Sequence, residues 1–582
     1  MTQQSSPAEG QPPNRAGPLW LALALVVFSA ALVARFHPVL GRDLSHFAAS
    51  QVNLGDPAPL PDALKLADHR FVAWLVTRNA YTLLQHPWQM FDSERCFPAK
   101  NTLAMGDPVI ALGVLGAPVW LLSRDPILTL NLATLALYAI AALAMFWLVR
   151  DWTGVPAAGI VAGLLYSFHA LKAYDVVHPF AYDGAWTVLA LFFARRLLET
   201  ERWRDALALS AVCGFQISQS FYPLLAAGLV GVPFATWLLF HHGLAGRRPL
   251  QLGVVAGAVA FAAWVFLSPY LATRSEEVIA QPGFQVFLPW SWIVPGGRWS
   301  IGLLVPALAL SALFLPPRRA LRVSGDPRWL LLVVGLVALY VAAGGNDGEI
   351  HLAKLEDRPA PPALPNPYLG LARWIPGLEV IRGPFTLATA AWIAFCILAG
   401  LGAAALIRSV PRRAALLVSL VLIAAAYVDV IRPLTLGLEP RVVYEAVELR
   451  PRSEGLELHG ELLRSGNTGP LVELPLDELS FELQAENLLL SAYHHRRTAS
   501  CYGSFVPPES RQVQQLAARM PEQDAARQLR ELGFTTLIVW HDGGALSKAR
   551  RRRFEQVDPE SYLKRLGGND VLSAWLLVGS EE

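Results

Sequence analysis

Apolar residues in this chain come in long unbroken blocks rather than in alternation. Blocks at 18–36, 126–149, 155–171, 183–199 and 205–221, and again at 222–241, 249–270, 299–315, 329–345, 384–407 and 414–432, approach the roughly 20 residues a helix needs to cross a hydrocarbon core. Arginines cluster in alternate loops between them: Arg195, Arg196, Arg202 and Arg204; Arg247 and Arg248; Arg318, Arg319, Arg322 and Arg328; Arg408, Arg412 and Arg413. Basic loops stay on the cytoplasmic side. That rule predicts segments 41–125, 172–182, 271–298, 346–383 and everything after about residue 433 to be outside. The apolar block 107–124 is interrupted by Gly116 and Pro118. As a crossing it would invert every later loop, so it reads as re-entrant or interfacial. The pattern predicts an α-helical polytopic membrane protein with about eleven transmembrane helices over 18–432.

Three segments break the pattern. Residues 1–17 are polar and rich in Pro and Gly, cannot build a core, and read as a disordered cytoplasmic tail. The following LWLALALVVFSAALVA reads as a retained first helix rather than a signal peptide, because the long segment before it has Arg15 as its single basic residue. Within the outer loop 41–125, Leu64, Phe71, Trp74, Leu75 and Tyr81 recur at helical spacing among Lys65, Asp68, Arg70 and Arg78. Such spacing predicts a helix lying in the membrane interface, the alternative being a helix packed on the rest of the loop. Residues 433–582 carry strand-length apolar runs, PLVELPL (470–476) and TTLIVW (535–540). Between them ESRQVQQLAARMPEQDAARQLRELG reads as helix broken near Pro521, so this last part is predicted to be a small soluble α/β domain outside the membrane. No G-x-G-x-x-G, P-loop, G-x-S-x-G or H-E-x-x-H occurs in it.

Composition agrees with lipid as the main solvent: mean hydropathy is +0.38 and 16% of residues are charged, against about 25% in soluble domains. A net charge of +2 spread over short loops offers no basic face, which excludes nucleic acid as a partner. Cys213 and Cys396 fall in predicted spans, while Cys96 and Cys501 fall outside, where disulfides persist. A bridge from the first loop to the tail requires their Cα atoms within roughly 4.4–6.8 Å. No C-x-x-C occurs, so a metal site would draw on carboxylates and histidines.

Ionisable groups at the outer membrane face are the candidates for chemistry, since charge beside hydrocarbon is costly. They are Asp43 in GRDLSHF; Asp92, Glu94 and Asp107 in FDSERCFPAKNTLAMGDP; and Lys172, Asp175, His178 and Asp183 in LKAYDVVHPFAYDG. The plain reading of each Asp is a solvated loop residue or a helix cap. Outer cations able to meet a phosphate are Arg42, Lys172, Arg274, Arg298 and Arg382, with Arg382 favoured because IRGPF sets it directly before a span. Asp175 with His178 is the candidate pair for a divalent metal. His37, His46, His69, His86, His494 and His495 also fall outside, and HHRR at 494–497 reads as a basic surface strand.

A first hydrophobic helix, an outer loop with an early acid, then a helix pair leading to a second acidic outer loop resembles the membrane module of GT-C glycosyltransferases. FDSERCFPAKNTLAMGDP, RWIPGLEVIRGPF and SAYHHRRTASCYGSFVPP further resemble a group of bacterial GT-C-like membrane proteins. The resemblance implies transfer of a sugar from a polyprenyl-phosphate-linked donor to an envelope glycan, lipid or protein at the outer face of the bacterial inner membrane. It makes Asp43 the first-loop acid that positions or deprotonates the acceptor, sets Asp107-Pro108 at the opening of the next membrane segment, and gives Asp175 or Asp183 as the second-loop acid. The first loop departs from the pattern in having no D-x-D or D-E pair. The competing class is non-enzymatic: a transporter or lipid flippase, or an inactive GT-C-like scaffold in envelope assembly.

Overall fold

The computed structural model describes residues 16–53, 62–168, 172, 176–273, 285–294, 302–316, 321, 325–375, 378, 381–431, 442–503, 505–541, 551–554 and 562–578. The expected disordered tail therefore lies, up to residue 15, outside the described residues. Helical elements are α1 (Ala16–Leu40), α2 (Asp62–Gln85), α3 (Ile110–Ser123), α4 (Pro126–Thr153), α5 (Pro156–Ser167), α6 (Ala185–Thr200), α7 (Trp203–Gln219), α8 (Phe221–His242) and α9 (Arg248–Thr273). They continue with α10 (Leu304–Phe314), α11 (Arg328–Ala342), α12 (Asp347–Leu355), α13 (Ala388–Ser409) and α14 (Arg412–Ile431). Strand β1 (Phe47–Asn53) lies in the first loop, and β2 (Val442–Glu448) follows α14. The tail adds α15 (Ser453–Arg464), β3 (Leu471–Leu474), α16 (Phe481–His494), α17 (Pro508–Arg519), α18 (Gln523–Glu531), β4 (Thr536–Trp540), β5 (Leu563–Gly568) and β6 (Leu572–Leu577).

Each of the eleven apolar blocks coincides with a helix. Six helices among the described residues are long and apolar enough to cross a membrane by themselves: α1, α4, α8, α9, α13 with the turn before it, and α14. A seventh forms if α11 and α12, bent by 43° at their break, count as one. Of the others, α2 is long but carries too many charges to cross alone, and α3, α5 and α10 are shorter apolar helices. Central α13 is buried along nearly its whole length, and small residues let its neighbours approach. A Cβ on Gly402 would lie 1.8 Å from the Leu308 carbonyl oxygen of α10, so only glycine fits that crossing.

Strand β1 pairs antiparallel with β2 from Phe47↔Glu448 to Asn53↔Val442, tying the first loop to the segment after the last span. The tail is a sheet of order β3-β4-β6-β5 with helices on both faces. Every residue of β4 is buried, as a continuous apolar run requires of a central strand. Its Leu537 and Val539 pack with Val513 and Leu516 of α17, while Ile538 and Trp540 pack with Leu458 and Leu462 of α15.

Two expectations are corrected here. The first-loop helix does not lie with one face in lipid: Val72–Ala80 are all buried, and α2 packs between α3 and the tail helix α16. Its polar positions serve that packing, Asp68 accepting from the Tyr502 hydroxyl at 2.5 Å and Arg70 pairing with Glu486 at 3.3 Å. The HHRR segment is not a surface strand. His494 ends α16 and is buried, and buried Arg496 donates to the Gly469 carbonyl, Asn467 and Thr536 at 2.9, 2.7 and 2.9 Å.

The tail is consequently docked rather than free. Cys96 and Cys501 form a disulfide, with Cα atoms 4.5 Å apart, inside a short ladder in which Cys96 N donates to Ser500 O and Phe97 N to Thr498 O. Phe97 reaches into the tail core, its ring centroid 5.1 Å from that of Phe534. Glu486 accepts from Arg70 of the first loop and Arg452 of the tail together. Tail residues Leu449, Leu488, Leu489 and Ala492 belong to the same core as the membrane helices. Cys213 and Cys396 are free and sit in α7 and α13.

Candidate functional site

Asp43 sits three residues past α1, in a turn closed by His46 N and Phe47 N donating to its carbonyl at 3.0 Å each. Asn131 of α4 holds that turn from below, its amide donating to the Leu44 and Phe47 carbonyls at 2.9 and 2.7 Å. The Asp43 carboxylate accepts from Ser45 N at 2.9 Å and meets His46 Nδ1 at 2.6 Å. Its side chain stays 57% exposed. The Ser45 amide foremost, then His46, holds its carboxyl below the usual carboxylate range, so Asp43 is ionised at neutral pH. Arg42 beside it is exposed, with its guanidinium 5.8 Å from the Phe47 ring.

Leu40 and Leu44, on either side of Asp43, line a shallow open cleft with Phe36, Leu130, Leu135, Val176 and Val177. The walls are apolar apart from Asn131, Thr134 and His69. His69 is fixed by its own surroundings, its ring nitrogens meeting the Lys65 and Ala49 carbonyls at 2.8 and 2.9 Å. The arrangement is an ionised carboxylate in a turn whose neighbours, Leu40 and Leu44, line an apolar cleft.

Other predicted groups fall elsewhere. Lys172 and Asp183 pair with each other at 3.1 Å, both buried, and Asp183 also accepts from Ala185 N at 2.6 Å. The pair neutralises itself, so neither group presents a charge to solvent. Asp107 bridges two elements: its Oδ1 accepts from the Ser220 hydroxyl at 2.7 Å and Phe221 N at 3.1 Å, capping α8. Burial pushes its carboxyl up, against Ser220, Phe221 and nearby His178. Around Asp107 stand Tyr270, whose hydroxyl donates to the Gly106 carbonyl at 2.7 Å, and Tyr222, which also lies within electrostatic reach of Arg382. Arg382 sits 5.5 Å from the Phe505 ring of the tail, and its carbonyl accepts from Val286 N at 2.8 Å.

The structure thus gathers Asp107, His178, Tyr222 and Arg382 in one region and Asp43, Arg42 and His46 in another. Val176 and Val177 line the Asp43 cleft and His178 reaches Asp107, so the second outer loop borders both. Among the described residues no hydrogen bond or ion pair joins Asp43 to Asp107, Asp183 or Arg382. Asp175, Arg274 and Arg298 lie outside the described residues, and with Asp175 the proposed metal pair. Among the described residues no group of three His, Cys, Asp or Glu could hold a metal ion. Asp92 and Glu94 belong to the loop's own framework. Buried Arg78 draws on the carbonyls of Met90, Gln89 and Asp92 and pairs with Glu94 at 3.5 Å. Sequence reasoning missed Asn131 and Arg450 as parts of the Asp43 environment. The D-L-S-H spacing that brings His46 onto Asp43 was visible in it.

Overlaid on solved structures, the chain matches the cryo-EM structure of the arabinofuranosyltransferase AftD from Mycobacteria, at 16% identity and a TM-score of 0.50, over 96% of this chain and 40% of that one. The fold is GT-C-like. A mutant of the same enzyme overlays at 15% identity and a TM-score of 0.47. This chain spans about two fifths of the length of those proteins. No family model matches the chain, and no curated protein matches it in sequence. The GT-C-like membrane part therefore carries a small sheet domain docked on its first loop.

Proposed function

We propose that this protein is a membrane glycosyltransferase that moves a sugar from a polyprenyl-phosphate-linked donor to an envelope acceptor, with Asp43 as the base. The observation that carries the reading is the exposed, ionised Asp43 carboxylate in the turn between Leu40 and Leu44, two residues that line an apolar cleft. An apolar cleft suits a prenyl chain, and a carboxylate in the adjoining turn suits the hydroxyl that attacks the sugar. In the transfer, the acceptor oxygen bonds to C1 as the bond from C1 to the phosphate oxygen breaks. The departing polyprenyl phosphate keeps the electron pair, and Asp43 takes the hydroxyl proton. Arg42 is the cation beside Asp43; Arg382, near Asp107 and His178, is the further candidate for the phosphate. The enzyme AftD, which shares the fold, transfers arabinofuranose, so a pentofuranosyl donor is the first to try.

Sidedness follows from the arginine clusters: N-terminus in the cytoplasm, first loop and tail outside the inner membrane. The Cys96–Cys501 disulfide supports an oxidising location for both. A reporter fused after residue 433 tests this, alkaline phosphatase activity being expected and a silent fusion overturning it. The closed Lys172–Asp183 pair favours the second reading, a scaffold without turnover. Release of sugar from a farnesyl-phosphate-linked pentofuranose by the wild type, and its loss in Asp43→Asn, decides between them.

A further inference from the structure

His46 stands between the proposed base and the tail. Its Nδ1 meets Asp43 Oδ2 at 2.6 Å, and its Nε2 is in contact with the guanidinium of Arg450, the second residue after β2. Leu449 N donates to the His46 carbonyl at 2.8 Å, so the backbone of this tail segment is also fixed to the turn. Arg450 has charged company: Asp125, the cap of α4, lies within electrostatic reach of both Arg450 and His46, and Tyr493 of α16 within reach of Asp125 and Arg450.

Proton inventory settles what this line can be. A guanidinium has five N–H donors, no acceptor, and keeps its charge. The nitrogen facing it must therefore present a lone pair, which leaves the ring proton on Nδ1, pointed at Asp43. The ionised Asp43 carboxylate, an acceptor only, requires the same Nδ1–H, so both neighbours of the ring select one tautomer and Arg450 braces the ring from its far side.

We propose that the tail orients the base: Arg450 holds the His46 ring against Asp43, and His46 donates its Nδ1–H to the Asp43 carboxylate, keeping it in one orientation with its remaining lone pairs outward. This rests on the reading of Asp43 as base. His46 and Arg450 are then positioning residues, and the catalytic unit includes the tail. The contact lies at the surface, where a charged pair contributes little stability. Docking is held by the disulfide, by the β1–β2 pairing and by Glu486, so removing Arg450 leaves the protein assembled.

The test has two arms on the full chain in nanodiscs. In the first, nitrogen NMR of histidine-labelled protein reads the His46 tautomer, assigned by loss of its signal in His46→Asn. Wild type is expected to show Nδ1–H with a lone pair on Nε2; an Nε2–H form in the wild type overturns the proposal. The second arm follows sugar release from a farnesyl-phosphate-linked pentofuranose. His46→Ala and Arg450→Met should lower kcat by up to about 100-fold at unchanged KM. His46→Asn, whose amide N–H replaces the Nδ1 donor, should recover most of it. Asn no better than Ala overturns the positioning role. Full turnover in Asp43→Asn would instead overturn the assignment of the base, leaving the tautomer result standing.

Discussion

Asp43 and Glu473 each accept two hydrogen bonds from nearby donors, yet their carboxyls are driven in opposite directions. Asp43 takes the Ser45 amide and His46 and is held below the ordinary range. Glu473 of β3 takes the hydroxyls of Thr498 and Ser500 and is pushed up to about 7, because it is wholly buried. Solvent, rather than the number of donors, decides the difference. An acid that must receive a proton from a hydroxyl has to be ionised beforehand, which Asp43 is. An acid neutral at the edge of physiological pH is suited to joining the sheet to the 498–501 segment beside the disulfide. Asp43 belongs to the first loop and Glu473 to the tail that docks on it.

The comparison is broken most directly by exchanging carboxyls for amides. Asp43→Asn should cost 100-fold or more in sugar release, about the contribution of a positioned base, with the expression level and elution profile of the wild type. Glu473→Gln should leave release untouched; a loss there equal to that of Asp43→Asn would collapse the distinction. Glu473→Gln should instead change stability with pH. Below about pH 4.5 the carboxyl is protonated folded and unfolded alike, and no penalty exists. As pH rises toward 7 the unfolded chain gives up its proton while the folded chain retains it, so wild-type stability falls, by about 3 kcal/mol for the difference between about 7 and 4.5. Protection factors of the β4 amides in the full chain, exchange rates divided into the intrinsic rate at each pH, should be higher at pH 5 than at pH 7.5 in wild type and level in the Gln variant, which checks the sign.

Smaller effects sharpen the cohesion side. Cys96→Ser with Cys501→Ser should cost about 2–4 kcal/mol, measured by the denaturant midpoint of the tail, because the bridge closes a very long loop. Asp107→Ala should cost about 1 kcal/mol through the lost α8 cap. Asp107→Asn, which keeps the accepting oxygen, should cost less, read from the thermal midpoints of the two variants. A loss of sugar release in Asp107→Asn as deep as that of Asp43→Asn would instead draw the Asp107 region into the chemistry.

Much of the fold was legible because it is written in local pattern. Eleven apolar blocks became helices, TTLIVW became the buried central strand, and the helix between the strands breaks at Pro521. What was hidden depends on residues distant in sequence. Lys65, Asp68 and Arg70 look like the polar face of an interfacial helix until Tyr502 and Glu486 supply their partners. FAASQVN has no strong alternation and becomes a strand because VVYEAVE arrives beside it. For the site, Asp43 was legible from its place after the first span, whereas the pairing of Lys172 with Asp183 was not, since both read alike as outer-loop charges. Asp107 carried its cap role in no local signal, because the helix it caps begins at Phe221.

The β1–β2 pairing has a consequence for the order in which the molecule is made. Ribosomes deliver β1 long before β2, and every span after the first lies between them in the chain. Until β2 emerges, β1 has an unpaired edge, Cys96 has no partner, and His46 has no arginine. The part of the protein begun first is thus finished last. A half-made chain holds its proposed base without the groups that orient it, so it stays idle until assembly is complete.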